Sequence, residues 1–191
     1  MQREKLTFTN AEGVELAGLL ERPALPVPTR AWALFAHCFT CGKDIAAASR
    51  ISRALVARGI AVLRFDFTGL GGSEGEFANA NFSSNVDDLL AAAQYLSDNA
   101  EAHGLLIGHS LGGAAVLSAA ARLPSVRAVA TIAAPATAAH VEHLFSAESD
   151  AIARAGEAEV CIGGRPLTIK RPLGEDLPNH ASAGDNCGLR Q

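Results

Sequence analysis

Apolar residues in this chain come in short continuous blocks, and between the blocks they recur every three or four positions. AWALFA (31–36) and LLI (105–107) are apolar at consecutive positions, as is IAVLRF (60–65) but for Arg64, which predicts strands buried on both faces. VRAVATIA (126–133) reads as a fourth such strand. Between 44 and 59, Ile45, Ala48, Ile51 and Leu55 share one helical face, with Asp44 as the expected N-cap and Gly59 as the stop. Further on, Val86, Leu89, Leu90, Ala93 and Leu96 form a second helical stripe. Ser83 or Ser84 is its expected cap. Asp87 and Asp88 then fall in its first turn, where the helix dipole favours carboxylates. A third helix of small residues is expected over 111–123, before Pro124. At the start, 5–9 and 14–21 read as a hairpin turning at Asn10-Ala11-Glu12-Gly13. Pro23, Pro26 and Pro28 hold the connection that follows extended.

Alternation of two-sided apolar strands with amphipathic helices predicts the α/β class. The expected architecture is a three-layer α/β/α sandwich around a mostly parallel sheet. After Pro135 the pattern changes. Residues 136–155 read as helical, and 159–170 as a hairpin turning at Gly163-Gly164. The segment 136–170 is therefore expected to be lid-like, on a core spanning 1–170. From 171 to 191 the chain mixes Pro, Gly, Asn and Asp with few apolar residues, and a loose tail is expected there.

Composition narrows the function classes. With 49% hydrophobic and 19% charged residues over 191 positions, one globular domain is favoured over disorder. A net charge of -4 without a basic patch argues against a nucleic-acid partner. The opening MQREKLTFTN is too charged for a secretory signal, and no apolar run approaches the roughly 18 residues of a membrane span. Four cysteines, Cys38, Cys41, Cys161 and Cys187, are too few for a disulfide scaffold and fit a reducing cytoplasm.

The strongest chemical signal is LLIGHSLGGAA, 105–115, whose centre is a G-x-S-x-G pattern on Gly108, Ser110 and Gly112. A strand before it and a helix after it are the setting of a nucleophile elbow. There a sharp turn lifts the serine hydroxyl clear of the sheet. Gly108 and Gly112 remove side chains that would collide, and the Leu111 amide at the helix start can donate to an oxyanion. The plainer alternative is that Ser110 merely caps an alanine-rich helix.

Three segments resemble the α/β-hydrolase superfamily. GHSLGG (108–113) is similar to its nucleophile elbow. DFTGLGGSEG (66–75) is similar to the Asp-x-x-Gly-x-Gly-x-Ser turn of its esterase and lipase-like members. AHCFT (36–40) lies where the family has His-Gly and the second oxyanion residue. More narrowly, AHCFTCGKD and RFDFTGLGGSEGEF resemble the hydrolase half of bacterial proteins that carry a fused OsmC-like domain. The resemblance implies that Phe39 and Leu111 supply oxyanion amides. It implies that His37 organises its loop and is not the base, and that Asp66, Gly69 and Ser73 are structural. Cys38 stands where the family has glycine.

The same resemblance implies an acid and then a histidine downstream of the serine. The candidates are Asp150, Asp176 and Asp185, with His140, His143 and His180, and none follows a convincing buried strand. His140 and His143 read as one face of a lid helix, and no third ligand makes them a metal pair. The resemblance fades near Lys170-Arg171-Pro172, so the expectation is a chain lacking the last strand–helix units. Such a sheet would have an open edge, with a hazard of self-association.

Cys38-Phe39-Thr40-Cys41 is a C-x-x-C, read either as two packed thiols or as a redox pair. Gly69-Leu70-Gly71-Gly72 lacks the Gly-Lys-Ser/Thr ending of a phosphate loop. Trp32, Phe35, Phe65 and Phe67 are expected in the core. The reading is a cytoplasmic serine hydrolase acting on a small ester, thioester or amide through acyl-Ser110, with no cofactor or metal. The alternative is an impaired hydrolase-like module that acts by binding.

Overall fold

The structure is a computed structural model and describes residues 1–100, 104–162 and 164–179. Two N-terminal strands, β1 (Gln2–Thr9) and β2 (Glu15–Arg22), pair antiparallel. Their turn is tied by Asn10, whose side-chain oxygen accepts the Glu12 and Val14 amides. The alternating core follows: β3 (Ala31–Ala36), α1 (Ala46–Val56), β4 (Ile60–Phe65), α2 (Phe82–Asn99), β5 (Leu105–His109), α3 (Leu111–Ala120) and β6 (Ala128–Ile132). Six strands form one sheet in the order β1-β2-β4-β3-β5-β6. From β4 to β6 all neighbours are parallel, and β2 joins β4 antiparallel.

The two-sided strands explain the layers. On β3, Ala33 and Phe35 face one way and pack with Val62, Ile107 and the α1 residues Ala48 and Val56. Trp32, Leu34 and Ala36 face the other way, into the larger core with Leu63, Leu106 and the residues of α2 and α3. Trp32, Phe35, Phe65 and Phe67 are all buried. The expected α/β/α sandwich with a mostly parallel sheet is the architecture found.

Strand order also places a crevice. From β3 the chain leaves across one face through α1 to β4. From β5 it leaves across the opposite face through α3 to β6. The ends of β3 and β5 lie side by side, with Ala36 paired to Gly108. Connections diverging in this way open a crevice at the carboxyl ends of the two strands.

Several local expectations are corrected. Asp44 does not cap α1; Ile45 holds that position without a side-chain bond. The Asp44 carboxylate instead lies 3.6 Å from buried Arg64 and 3.7 Å from Lys43. The cap of α2 is Asn81, not Ser83 or Ser84. Its side chain accepts the Ser84 amide at 2.7 Å, while the Ser84 hydroxyl accepts the Asn81 amide at 2.9 Å. Because α2 therefore starts at Phe82, Asp87 and Asp88 fall beyond its first turn, and Asp88 is fully buried. β6 is not a buried strand. It pairs with β5 alone among the described residues, and most of its side chains are exposed.

Past β6, 138–148 is a 3-10 helix broken at Phe145 (φ −134°, ψ 21°), where one helix was expected. Then come α4 (Ser149–Ala155), β7 (Glu157–Ile162), β8 (Arg165–Lys170) and α5 (Arg171–Asp176). β7 and β8 form a separate two-stranded sheet, with Gly164 at φ +78° in its turn; Gly163 lies outside the described residues. The expected loose tail begins as a docked helix. Leu173 and Leu177 are buried, and Asp176 accepts the amide and hydroxyl of Ser83, both at 2.7 Å. The Asp176 carboxylate thereby meets an amide in the first turn of α2, where the helix itself supplies no acceptor. The apolar pair in this segment was too sparse to register as a helical stripe.

Candidate active site

Ser110 sits in the crevice, on the turn between β5 and α3. Its backbone is at φ 54° and ψ −126°, a region that costs a non-glycine residue about 1–3 kcal/mol. Two bonds hold it there. The Ser110 amide donates to Ile132 O at 2.9 Å, and the Gly113 amide donates to Ser110 O at 2.8 Å. Ser110 makes no side-chain capping bond to α3, so the plain cap reading fails.

The glycines are required by close approach. A Cβ on Gly108 would lie 2.3 Å from Gly112 O. One on Gly112 would lie 2.3 Å from His37 O and 2.6 Å from Ala36 O. The elbow and the loop after β3 are thus pressed backbone against backbone. That contact sets the start of the loop that carries Phe39 against the first turn of α3, which Leu111 opens. Leu111 opens α3, so its amide has no acceptor within the helix. Phe39 is buried, with its ring edge-on to Phe77 at 5.4 Å.

The loop itself is tied by His37. Its Nδ1 donates to Cys38 O at 2.8 Å, and its Nε2 accepts the Phe67 amide at 3.4 Å. An amide can only donate, so Nε2 carries no proton. Burial pushes the His37 pKa below its ordinary value, against the opposing pull of the Cys38 carbonyl. The ring is neutral at pH 7, and its 3.9 Å approach to Asp66 is a contact between a neutral ring and a carboxylate. With both nitrogens engaged, His37 cannot serve Ser110 as a base.

Asp66 is equally occupied. Its carboxylate accepts the Lys43 amide and ammonium, both at 2.6 Å, and the Gly72 amide at 2.9 Å. Ser73 Oγ donates to Asp66 O and accepts the Ala17 amide, locking the glycine turn onto β2. Gly69, at φ +73°, donates its amide to Glu74 O at 2.8 Å within that turn. Two residues on, Thr68 donates its amide and hydroxyl to buried Asp88, which also accepts Asn10 Nδ2 at 2.7 Å. Sequence reading named Asp88 but not its burial, because nothing in a helical stripe marks one carboxylate as buried.

Cys38 and Cys41 are joined by a disulfide, with Cα atoms 5.3 Å apart. The packed-thiol reading is corrected. Cys161 is free and exposed, and Cys187 lies outside the described residues.

Among the described residues, no histidine or carboxylate is hydrogen-bonded to Ser110 Oγ. His140 and His143 are exposed, and the His143 ring meets the carbonyl of His140. Asp150 is exposed at the start of α4, and Asp176 belongs to Ser83. His180 and Asp185 lie outside the described residues. Among the described residues no helix is long and apolar enough to cross a membrane.

Comparison with known proteins follows this geometry. The family model described as serine aminopeptidase, S33 matches residues 30–157. No curated protein matches the chain. The solved esterase domain of a Rhodothermus marinus protein is 46% identical, over 100% of this chain and 74% of its own, with a TM-score of 0.74. A putative hydrolase from Agrobacterium vitis S4 is 18% identical, covering 94% and 72%, with a TM-score of 0.75. Est1E from Butyrivibrio proteoclasticus, solved with ferulic acid, is 21% identical over 94% and 71%, with a TM-score of 0.68. The last two likenesses bear on the fold alone.

Proposed function

Because the chain belongs to the serine aminopeptidase S33 family of α/β-hydrolase enzymes, we propose that it cleaves a small ester, thioester or amide through an acyl-Ser110 intermediate. The supporting observation is the strained backbone of Ser110, held at φ 54° against the loop that carries Phe39. A serine that only capped a helix would not need that conformation. In this reading Ser110 Oγ attacks the carbonyl carbon, and the amides of Phe39 and Leu111 take the oxyanion. The alcohol, thiol or amine leaves, and water releases the acid from the serine. The protein acts in the cytoplasm and resembles the hydrolase half of OsmC-like fusions.

The experiment is labelling by a fluorophosphonate probe. Labelling lost in Ser110→Ala is the expected result, and an unlabelled, folded wild-type protein would refute the acyl-serine reading. The lack of a described base or acid beside Ser110 favours one second reading, a module that binds acyl compounds without turning them over. Stoichiometric labelling with no hydrolysis of p-nitrophenyl acetate would select it.

A further inference from the structure

The disulfide between Cys38 and Cys41 encloses Phe39, the residue whose amide the acyl-serine reading gives to the oxyanion. Its sulfurs are not sealed in. Both cysteines are half-buried, and Cys41 lines an open cavity of about 360 Å³ with Lys43, Asp44, Asp66 and Arg165. Hydrogen bonds hold the loop beside the bridge, among them those from His37 to Cys38 O and from the Cys41 amide to the same carbonyl at 3.1 Å. Arg165, on β8, donates to Thr40 O at 3.3 Å, so the hairpin of the lid-like segment rests on this loop as well.

We propose that Cys38 and Cys41 form a reversible dithiol–disulfide switch, and that the closed form holds the Phe39 amide in place. The effect on turnover rests on the acyl-Ser110 reading; the redox step does not. To open the bridge, one thiolate of a dithiol attacks Cys41 Sγ, and Cys38 Sγ leaves and takes a proton. The second thiol of the reagent then attacks the reagent's own sulfur in the mixed disulfide and frees Cys41. Two electrons and two protons have passed to the pair, and the reagent leaves as a disulfide. Closing runs in reverse, with a disulfide as the oxidant. In a reducing cytoplasm the pair stays open until oxidised thiols accumulate, so oxidation switches the hydrolase on.

The test compares protein equilibrated with reduced and with oxidised dithiothreitol. Mass spectrometry after alkylation counts the free thiols, hydrogen exchange follows the amides of 39–43, and p-nitrophenyl acetate reports turnover. Reduction is expected to expose both thiols, speed exchange across the loop and lower turnover about tenfold, short of the ~10²–10³ that follows removal of an oxyanion donor. The double variant Cys38→Ser, Cys41→Ser should sit at the reduced rate in both conditions. A pair that stays unbridged under oxidant overturns the proposal. So do unchanged exchange and turnover while alkylation shows the bridge open. If Ser110 takes no label in either state, the hydrolase reading fails alone, and the exchange measurement still decides the switch.

Discussion

Ser110 and Gly112 meet opposite demands within one turn. Ser110 must hold a conformation that its Cβ resists, and Gly112 must have no Cβ at all. Gly112→Ala would press a methyl group onto the carbonyls of Ala36 and His37, neither of which is a movable side chain. We expect it to destabilise the protein by about 1–3 kcal/mol, as overpacking does, and to reduce fluorophosphonate labelling at Ser110. Denaturant melts and probe labelling check both effects. Asp88 gives a prediction in pH. Burial raises its pKa above the ordinary 3.8, against the bonds it accepts from Asn10 and Thr68. A folded pKa above the unfolded one means that folding favours the protonated form. Its contribution to stability is therefore full below pH 3.8 and declines as pH rises through the folded pKa. The stability of wild type relative to Asp88→Asn should fall over that rise; a gap that widens would contradict it.

Strands and helices were legible where the apolar spacing was dense. AWALFA and IAVLRF have their expected bounds because both faces of each strand are covered by helices. The elbow was legible for a different reason, since its glycines and serine sit at fixed offsets between a strand and a helix. What stayed hidden lies in contacts between distant positions. Asn81 rather than Ser83 caps α2, and single-sequence rules rank those residue types alike. Arg64 is the one charged residue of β4. It is fully buried against Glu21, at 3.1 Å, and Glu21 also accepts Arg3 at 2.9 Å. This ion pair welds β2 to β4, and Arg64 reaches the carbonyl of Lys43 just beyond the loop that carries Phe39. Glu21→Ala should cost about 3–5 kcal/mol, because it removes the buried counter-charge of a buried guanidinium and leaves it, among the described residues, only exposed Asp44. Replacing the pair together, as Glu21→Leu with Arg64→Met, should recover most of that loss in urea melts.

Over the whole molecule, the residues after β6 act as a brace. Asp176 joins α5 to the first turn of α2, and Arg165 joins β8 to the loop at Thr40. Asp176→Ala removes two bonds from one carboxylate and should lower stability by about 1–3 kcal/mol. Limited proteolysis should then cut first within 138–179, before the parallel sheet gives way. The strand order has a further consequence, for synthesis. β3 finds β4 soon after it leaves the ribosome, yet its other edge waits for β5, with Ala36 pairing only when Gly108 has been made. Through that interval AWALFA stands with one edge unpaired in a growing chain. A nascent strand so apolar is a natural client for a chaperone, and the chain passes that hazard only when the segment bearing Ser110 slots in beside it.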